Sequence, residues 1–340
     1  MERRVKRGIA GIIVVLLLLL CGCARNPAPV VVVYTALDEM YSRPILEEFE
    51  RRTGMEVRPA YDTEAAKTTG LVNRLIAEKA HPRADVFWNN EVAQTIVLKE
   101  KGVLELYESP SAAGIPAQFK DPEGYWTGFA ARARVIIYNI ELVEKPPTSI
   151  RDFLKEEWRG GAAIAVPLFG TTATHAAALF SVWGDEKAEE FFKGLLANHV
   201  AVLAGNATVR DMVALGEYKV GLTDTDDANA AVDDGLPVRW LMPDQEPGGL
   251  GTLIIPNTVA LVKGGPNPEG GKALIDYLLS PEVEGRLSRT RSIQMPLNPS
   301  VEAPENVPRL SEIRAMDVTF EDIAAEMSTA AAFIHEEFLR

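Results

Sequence analysis

Residues 30–61, VVVVYTALDEMYSRPILEEFERRTGMEVRPAY, decide the fold class. The run 30–34 is apolar, β-branched and unbroken, the pattern of a parallel strand buried on both faces. Residues 41–52 then set Ile45, Leu46 and Phe49 at helical spacing among charges, and Thr53-Gly54 closes the turn as a helix stop. Residues 55–61 read as the next strand. Working outward, Leu71, Leu75 and Ile76 give a second helical stretch over 65–79, and 84–88 is a further short apolar strand. The chain therefore opens βαβαβ, the signature of an α/β protein.

The same alternation returns later. Residues 161–167, 201–203, 220–223 and 238–241 are strand candidates separated by helical stretches such as 188–198 and 208–216, so a second α/β lobe is expected. Residues 253–262 contain Pro256 and suit an edge or crossover strand. Residues 264–268 form a loop, 271–279 and 281–287 are helices, and the tail 318–339 carries Phe320, Ile323, Met327, Ala331, Ile334 and Phe338 on one stripe that should dock on a lobe.

The N-terminus gives an address. Residues 1–7 carry four basic side chains, 9–20 are apolar apart from Gly11, and Leu20-Cys21-Gly22-Cys23 follows. That is an export signal (1–22) ending in a lipobox, with Cys23 as the lipidated residue and 23–29 as a tether. An apolar run of about 12 residues is short of the about 20 a membrane span needs. The expected product is an exported, membrane-anchored lipoprotein, periplasmic or on the cell surface. Both cysteines lie in this junction, so no thiol is left for a disulfide, a zinc site or a nucleophile. The formal charge of −13 becomes more negative once the basic leader is gone, and such a surface repels nucleic acid.

Catalytic signatures are missing: no phosphate loop with Lys-Ser/Thr, no His-Glu-x-x-His and no Gly-x-Ser-x-Gly. His81, His175, His199 and His335 are far apart in sequence. What stands out is Thr223-Asp224-Thr225-Asp226-Asp227 between a strand and a helix, where open α/β sheets bind ligands. One of those acids serves as an N-cap; three together call for a compensating charge. Tyr34 to Glu39, with Asp38, and Val86 to Glu91, with Trp88, Asn90 and Glu91, repeat the strand-to-acidic-turn layout, although capping also accounts for Asp38 and Glu91 singly. Such hard oxygen donors, with Trp88 as a wall, suit hard cations in a crevice between lobes. Thr171 and Thr172, after Gly170, and Asn206 with Arg210 sit at two further strand-to-helix junctions fit for polar or anionic groups.

Several phrases together carry a resemblance. The lipobox, the strand at 30–34, Ala84-Asp85-Val86-Phe87, Leu215-Gly216-Glu217-Tyr218-Lys219-Val220-Gly221-Leu222-Thr223, Pro256-Asn257-Thr258 and Tyr277-Leu278-Leu279-Ser280-Pro281-Glu282 resemble the periplasmic solute-binding proteins of ABC importers, most of all the ferric-ion-binding group. The resemblance implies a type II periplasmic-binding-protein fold with mixed sheets and an interlobe cleft. Crossing strands join the lobes, which close on a solute and hand it to an ABC permease. Lobe 1 is then 30–125 plus 255–298, and lobe 2 is 126–254 plus 299–340. The protein is expected to act as a monomer without chemistry of its own. Where the ferric group has adjacent tyrosines, this sequence has Asp226 and Asp227; its histidine falls on Asp38, and its glutamate on Asn90 or Glu91.

The expected metal set is Asp38, Glu91, Asp226 and Asp227, with Trp88, Asn90, Thr171, Thr172, Asn206, Arg210 and Asp224 as further ligand contacts. Iron(III) or another hard cation is the leading solute. A polyamine held between Asp226, Asp227 and Trp88 or Trp126, or an anionic small molecule held by Thr171, Thr172 and Arg210, are the alternatives. The rivals from other classes are a hydrolase using His175 and an adhesion protein with its acids scattered over solvent.

Overall fold

The computed structural model describes residues 28–62 and 68–339. The export signal, Cys23 and most of the tether lie outside the described residues, as does the start of the helix expected from residue 65. Among the described residues no helix is long and apolar enough to cross a membrane.

The opening βαβαβ is present. Strands β1 (Val30–Thr35), β2 (Glu56–Tyr61) and β3 (Val86–Asn89) are parallel, with β1 central. Helix α1 (Glu39–Thr53) ends on Gly54 at φ 71°, a left-handed position that glycine takes without strain. Helices α2 (Thr69–Ala77) and α3 (Ala93–Glu100) follow. After the short β4 (Leu104–Glu105) comes the longest strand, β5 (Thr127–Asn139). Beyond it lie β6 (Ala162–Ala165), α4 (Gly170–Trp183), α5 (Asp185–Ala197), β7 (Ala201–Leu203), α6 (Asn206–Ala214), β8 (Val220–Asp224), α7 (Thr225–Asp233), β9 (Val238–Leu241) and β10 (Ile254–Val262). Helices α8 (Pro268–Leu278), α9 (Pro281–Ser288) and α10 (Phe320–Phe333) complete the chain.

The strand order β2-β1-β3-β10-β5-β8-β6-β7 makes β10 and β5 the crossing pair of a mixed sheet. β5 pairs antiparallel with β10 over Thr127–Ala133 and with β8 and β9 from Arg134 onward, so one strand belongs to both halves. This is the two-lobed arrangement that the resemblance implies. Pro256 does not put β10 at an edge. The register shifts between Ile255 and Asn257, and this irregularity lets a residue without an N–H sit inside a central strand. The tail docks as its stripe requires, but on two partners: α10 packs against α4 and also against α3.

Candidate functional site

Four strand-to-helix junctions meet in one narrow cleft. Its walls are Asn90 from the first half, Arg132 from β5, and Phe169 to Thr172, Ala204 to Asn206, Asp224 and Asp227 from the second. The enclosed space is about 30 Å³, near the volume of one water. A solute enters only if the lobes part. Larger hollows, such as one of about 540 Å³ beside Lys79, Arg83 and Lys263, lie away from these junctions.

The acidic cluster is real: single carboxylate oxygens of Asp224, Asp226 and Asp227 lie within 4.8 Å of one another. Each faces an arginine. On β5, Arg132 and Arg134 are two apart and so share a face of the strand. Arg134 Nη1 donates to Asp224 Oδ1 at 2.6 Å, Arg132 Nη1 lies 3.0 Å from Asp226 Oδ2, and Arg210 Nη1 lies 3.4 Å from Asp227 Oδ1. Asp224 also accepts from the Thr171 hydroxyl at 2.5 Å and Asn206 Nδ2 at 3.0 Å. Thr172 donates to Asn206 Oδ1 at 3.2 Å, which Arg134 also reaches at 3.0 Å. Thus Thr171, Thr172, Asn206 and Asp224 form one network around Arg134.

Electrostatics follow from this crowding. Burial works against the Arg132 charge, but Asp226, Asp224, Asp38 and Asp227 outweigh it and hold its pKa above the ordinary value. The Tyr41 hydroxyl is pushed up to about 12, first by burial and then by Asp226, Asp38 and Asp227. Asp38, at the N-cap position of α1, therefore acts on the same groups as the 226/227 pair. Asp38, Asp224, Asp226 and Asp227, with Asp211 on Arg210 Nε at 2.8 Å, surround three guanidiniums, so carboxylates are in excess. Helices α4 and α6 begin in the cleft wall without a side-chain cap on their first turns, so their positive ends face the solute space. Arg132, 2% exposed, keeps an Nε without a hydrogen-bond partner, and fully buried Arg134 keeps Nε and Nη2 so.

Not every expected residue reaches the cleft. Glu91 is fully buried: its carboxylate accepts from Asn89 Nδ2 at 2.9 Å, Gln94 N at 3.1 Å and Thr174 Oγ1 at 2.8 Å, and burial raises its pKa. It ties β3 and α3 to α4 instead of opposing the aspartate pair. Its neighbour Asn90 does line the cleft and accepts from Thr68 at 2.8 Å. Trp88 is no wall, since its ring is buried against Phe129 with centroids 5.7 Å apart. Trp126 packs edge-on to Phe320. His175 is buried beside an apolar hollow with Phe153 and Phe192, its pKa lowered to about 3 by burial and then by Arg134. Such an imidazole stays neutral at physiological pH. Reading motifs alone misses Arg132, Arg134 and Tyr41; the signal available was two arginines two apart in an otherwise apolar stretch.

The chain is 25% identical over 316 residues to iron uptake protein A1 of Synechocystis sp., covering 89% of this chain and 84% of the relative. It is 25% identical over 308 residues to a putative 2-aminoethylphosphonate-binding periplasmic protein of Salmonella typhi, covering 88% of each. Among solved structures, iron-bound HitA from Pseudomonas aeruginosa superposes with a TM-score of 0.82 at 22% identity, over 91% of this chain and 99% of that one. AfuA from Actinobacillus pleuropneumoniae, with exogenous fructose-6-phosphate bound, gives 0.82 at 23% identity, over 92% and 100%. At these identities the superpositions show the fold. Periplasmic solute-binding proteins are non-enzymatic parts of ABC importers, which sets the hydrolase reading aside. The family description "Bacterial extracellular solute-binding protein" matches residues 84–326, and the protein belongs to that family.

Proposed function

We propose that this protein is a lipid-anchored receptor, held through Cys23, that captures a small organic anion bearing a phosphate or phosphonate head and an amine, and delivers it to a membrane permease. The observation that carries the reading is the pairing of Asp224, Asp226 and Asp227 with Arg134, Arg132 and Arg210. Guanidiniums with donors to spare, beside two uncapped helix starts, favour a multidentate oxyanion. The excess of carboxylates over guanidiniums favours a positive group on the same solute. Relatives named for 2-aminoethylphosphonate and a structure holding fructose-6-phosphate support the anionic part.

Iron(III) is the second reading, favoured by the convergent carboxylate oxygens and by iron-named relatives. Against it, Asp224, Asp226 and Asp227 already face guanidiniums that compete with a metal for their oxygens, and Tyr41 is a poor phenolate donor with its pKa at about 12. An iron site here needs a co-bound anion on the arginines. Native mass spectrometry of protein purified without chelator separates the readings: a retained organic mass of on the order of a hundred to a few hundred daltons supports the first, and a retained metal mass supports the second.

A further inference from the structure

Two buried residues at the crossing adopt conformations that side chains avoid, one on β5 and one in the segment after α9 whose Met295 bridges to Ala131. Ala130 on β5 has φ 45° and Ile293 has φ 38°, and neither is more than 1% exposed. A β-branched residue at positive φ is an outlier, and such strain collects at switching segments. Asn257, at the irregularity in β10, lies between them. Its Nδ2 donates to the Ala130 carbonyl, to the Phe129 carbonyl at 3.3 Å and to Gln294 Oε1, next to Ile293, at 2.8 Å. Its Oδ1 accepts from Arg132 Nη2 at 3.4 Å. On the far side, the buried Glu284 carboxylate accepts from Ala130 N at 2.8 Å, Leu297 N at 2.8 Å and Asn298 N at 2.9 Å.

We infer that Asn257 is the positioning residue that couples the solute cleft to the hinge, through a continuous chain Asp226–Arg132–Asn257–Ala130–Glu284. Arg132 stands in the cleft wall and pairs with the second lobe, whereas Asn257, Ala130 and Glu284 fix the strained backbone of the crossing. A movement of Arg132 when Asp226 changes partner pulls on Asn257 Oδ1. The same amide holds the Ala130 carbonyl, so the strained peptide is released or locked with it. This coupling holds whichever solute fills the cleft, because it is built from protein groups alone.

Amide hydrogen exchange by mass spectrometry, on the full chain without solute, tests it. Arg132→Met should speed exchange at Ala130, Leu297 and Asn298 about tenfold or more. In an Asn257→Leu background the same substitution should add nothing, because the link is already cut. Additive acceleration, or none at these amides, overturns the inference. Arg132→Lys and Asn257→Ser are the milder pair if a variant fails to fold, and they should show the same non-additivity. In a second arm, 2-aminoethylphosphonate added to the unaltered protein should slow exchange at Leu297 and Asn298, an effect absent in Asn257→Leu. Binding of that probe with no change at these amides also overturns the coupling; absence of binding counts against the proposed solute and leaves the solute-free arm to decide the coupling.

Discussion

Arg134 Nη1 lies 2.6 Å from Asp224 Oδ1, and the two side chains, 0% and 2% exposed, come from the middle of β5 and from the last residue of β8. A pair this deep does little for net stability against an apolar pair, but losing one member leaves the other charged and dry. Arg134→Met should therefore destabilise the fold by about 3–5 kcal/mol, read as a fall in the urea midpoint. Asp224→Asn keeps the size and part of the hydrogen bonding, and should cost less than Asp224→Ala.

Asp226 and Asp227 separate the two halves of the proposed solute. Asp226→Asn frees Arg132 for an oxyanion while removing a partner for the amine. Calorimetry should show weaker binding of 2-aminoethylphosphonate, by about tenfold or 1.4 kcal/mol, with inorganic phosphate bound as well as before or better. Equal loss of both ligands contradicts the division of roles.

His175 sets an acid limit. Its folded pKa of about 3 lies below the unfolded value of about 6.5, so below pH 6.5 the unfolded chain binds a proton that the folded one excludes. Stability falls as pH drops through that window, by about 3 kcal/mol at pH 4.5. Glu91 and Glu284, raised by burial, act in the opposite direction. Comparing urea midpoints at pH 7 and 4.5 isolates the histidine: His175→Gln should lose less stability between them than the unaltered protein.

Gly221 lets α6 lie close on β8. A Cβ there would run into Val209 Cγ1 and sit 3.1 Å from Val213 Cγ2. Gly221→Ala should lower stability by about 1–3 kcal/mol through overpacking, while Gly235→Ala, where a Cβ meets nothing, tests backbone strain alone at φ 72°.

How much of this was legible in the sequence follows from how local each signal is. The run at 30–34 and the alternation after it needed no distant partner, and β1, α1 and β2 stand where the pattern puts them. The longest strand went unread because TGFAARARVIIYN mixes small residues with two arginines. Those arginines are buried only through Asp224 and Asp226, some ninety positions away. The same non-locality shaped the site. The acidic run at 224–227 was visible as a motif, but its arginine partners on β5 are distant in sequence, so a cleft of paired carboxylates and guanidiniums read as an acidic clamp. Trp88 lies within a strand buried along its whole length, VFWN, and Glu91 comes just after it, so both turn into the packing between elements.

The central claim is that Arg132 makes the cleft a receptor for an oxyanion. Isothermal titration calorimetry of 2-aminoethylphosphonate and of iron(III) citrate, against the unaltered protein and Arg132→Met, tests it most directly. The account predicts phosphonate binding in the micromolar range or tighter, weakened about a hundredfold or more in the variant. Iron(III) binding that survives Arg132→Met, with no heat from the phosphonate in either protein, would contradict it.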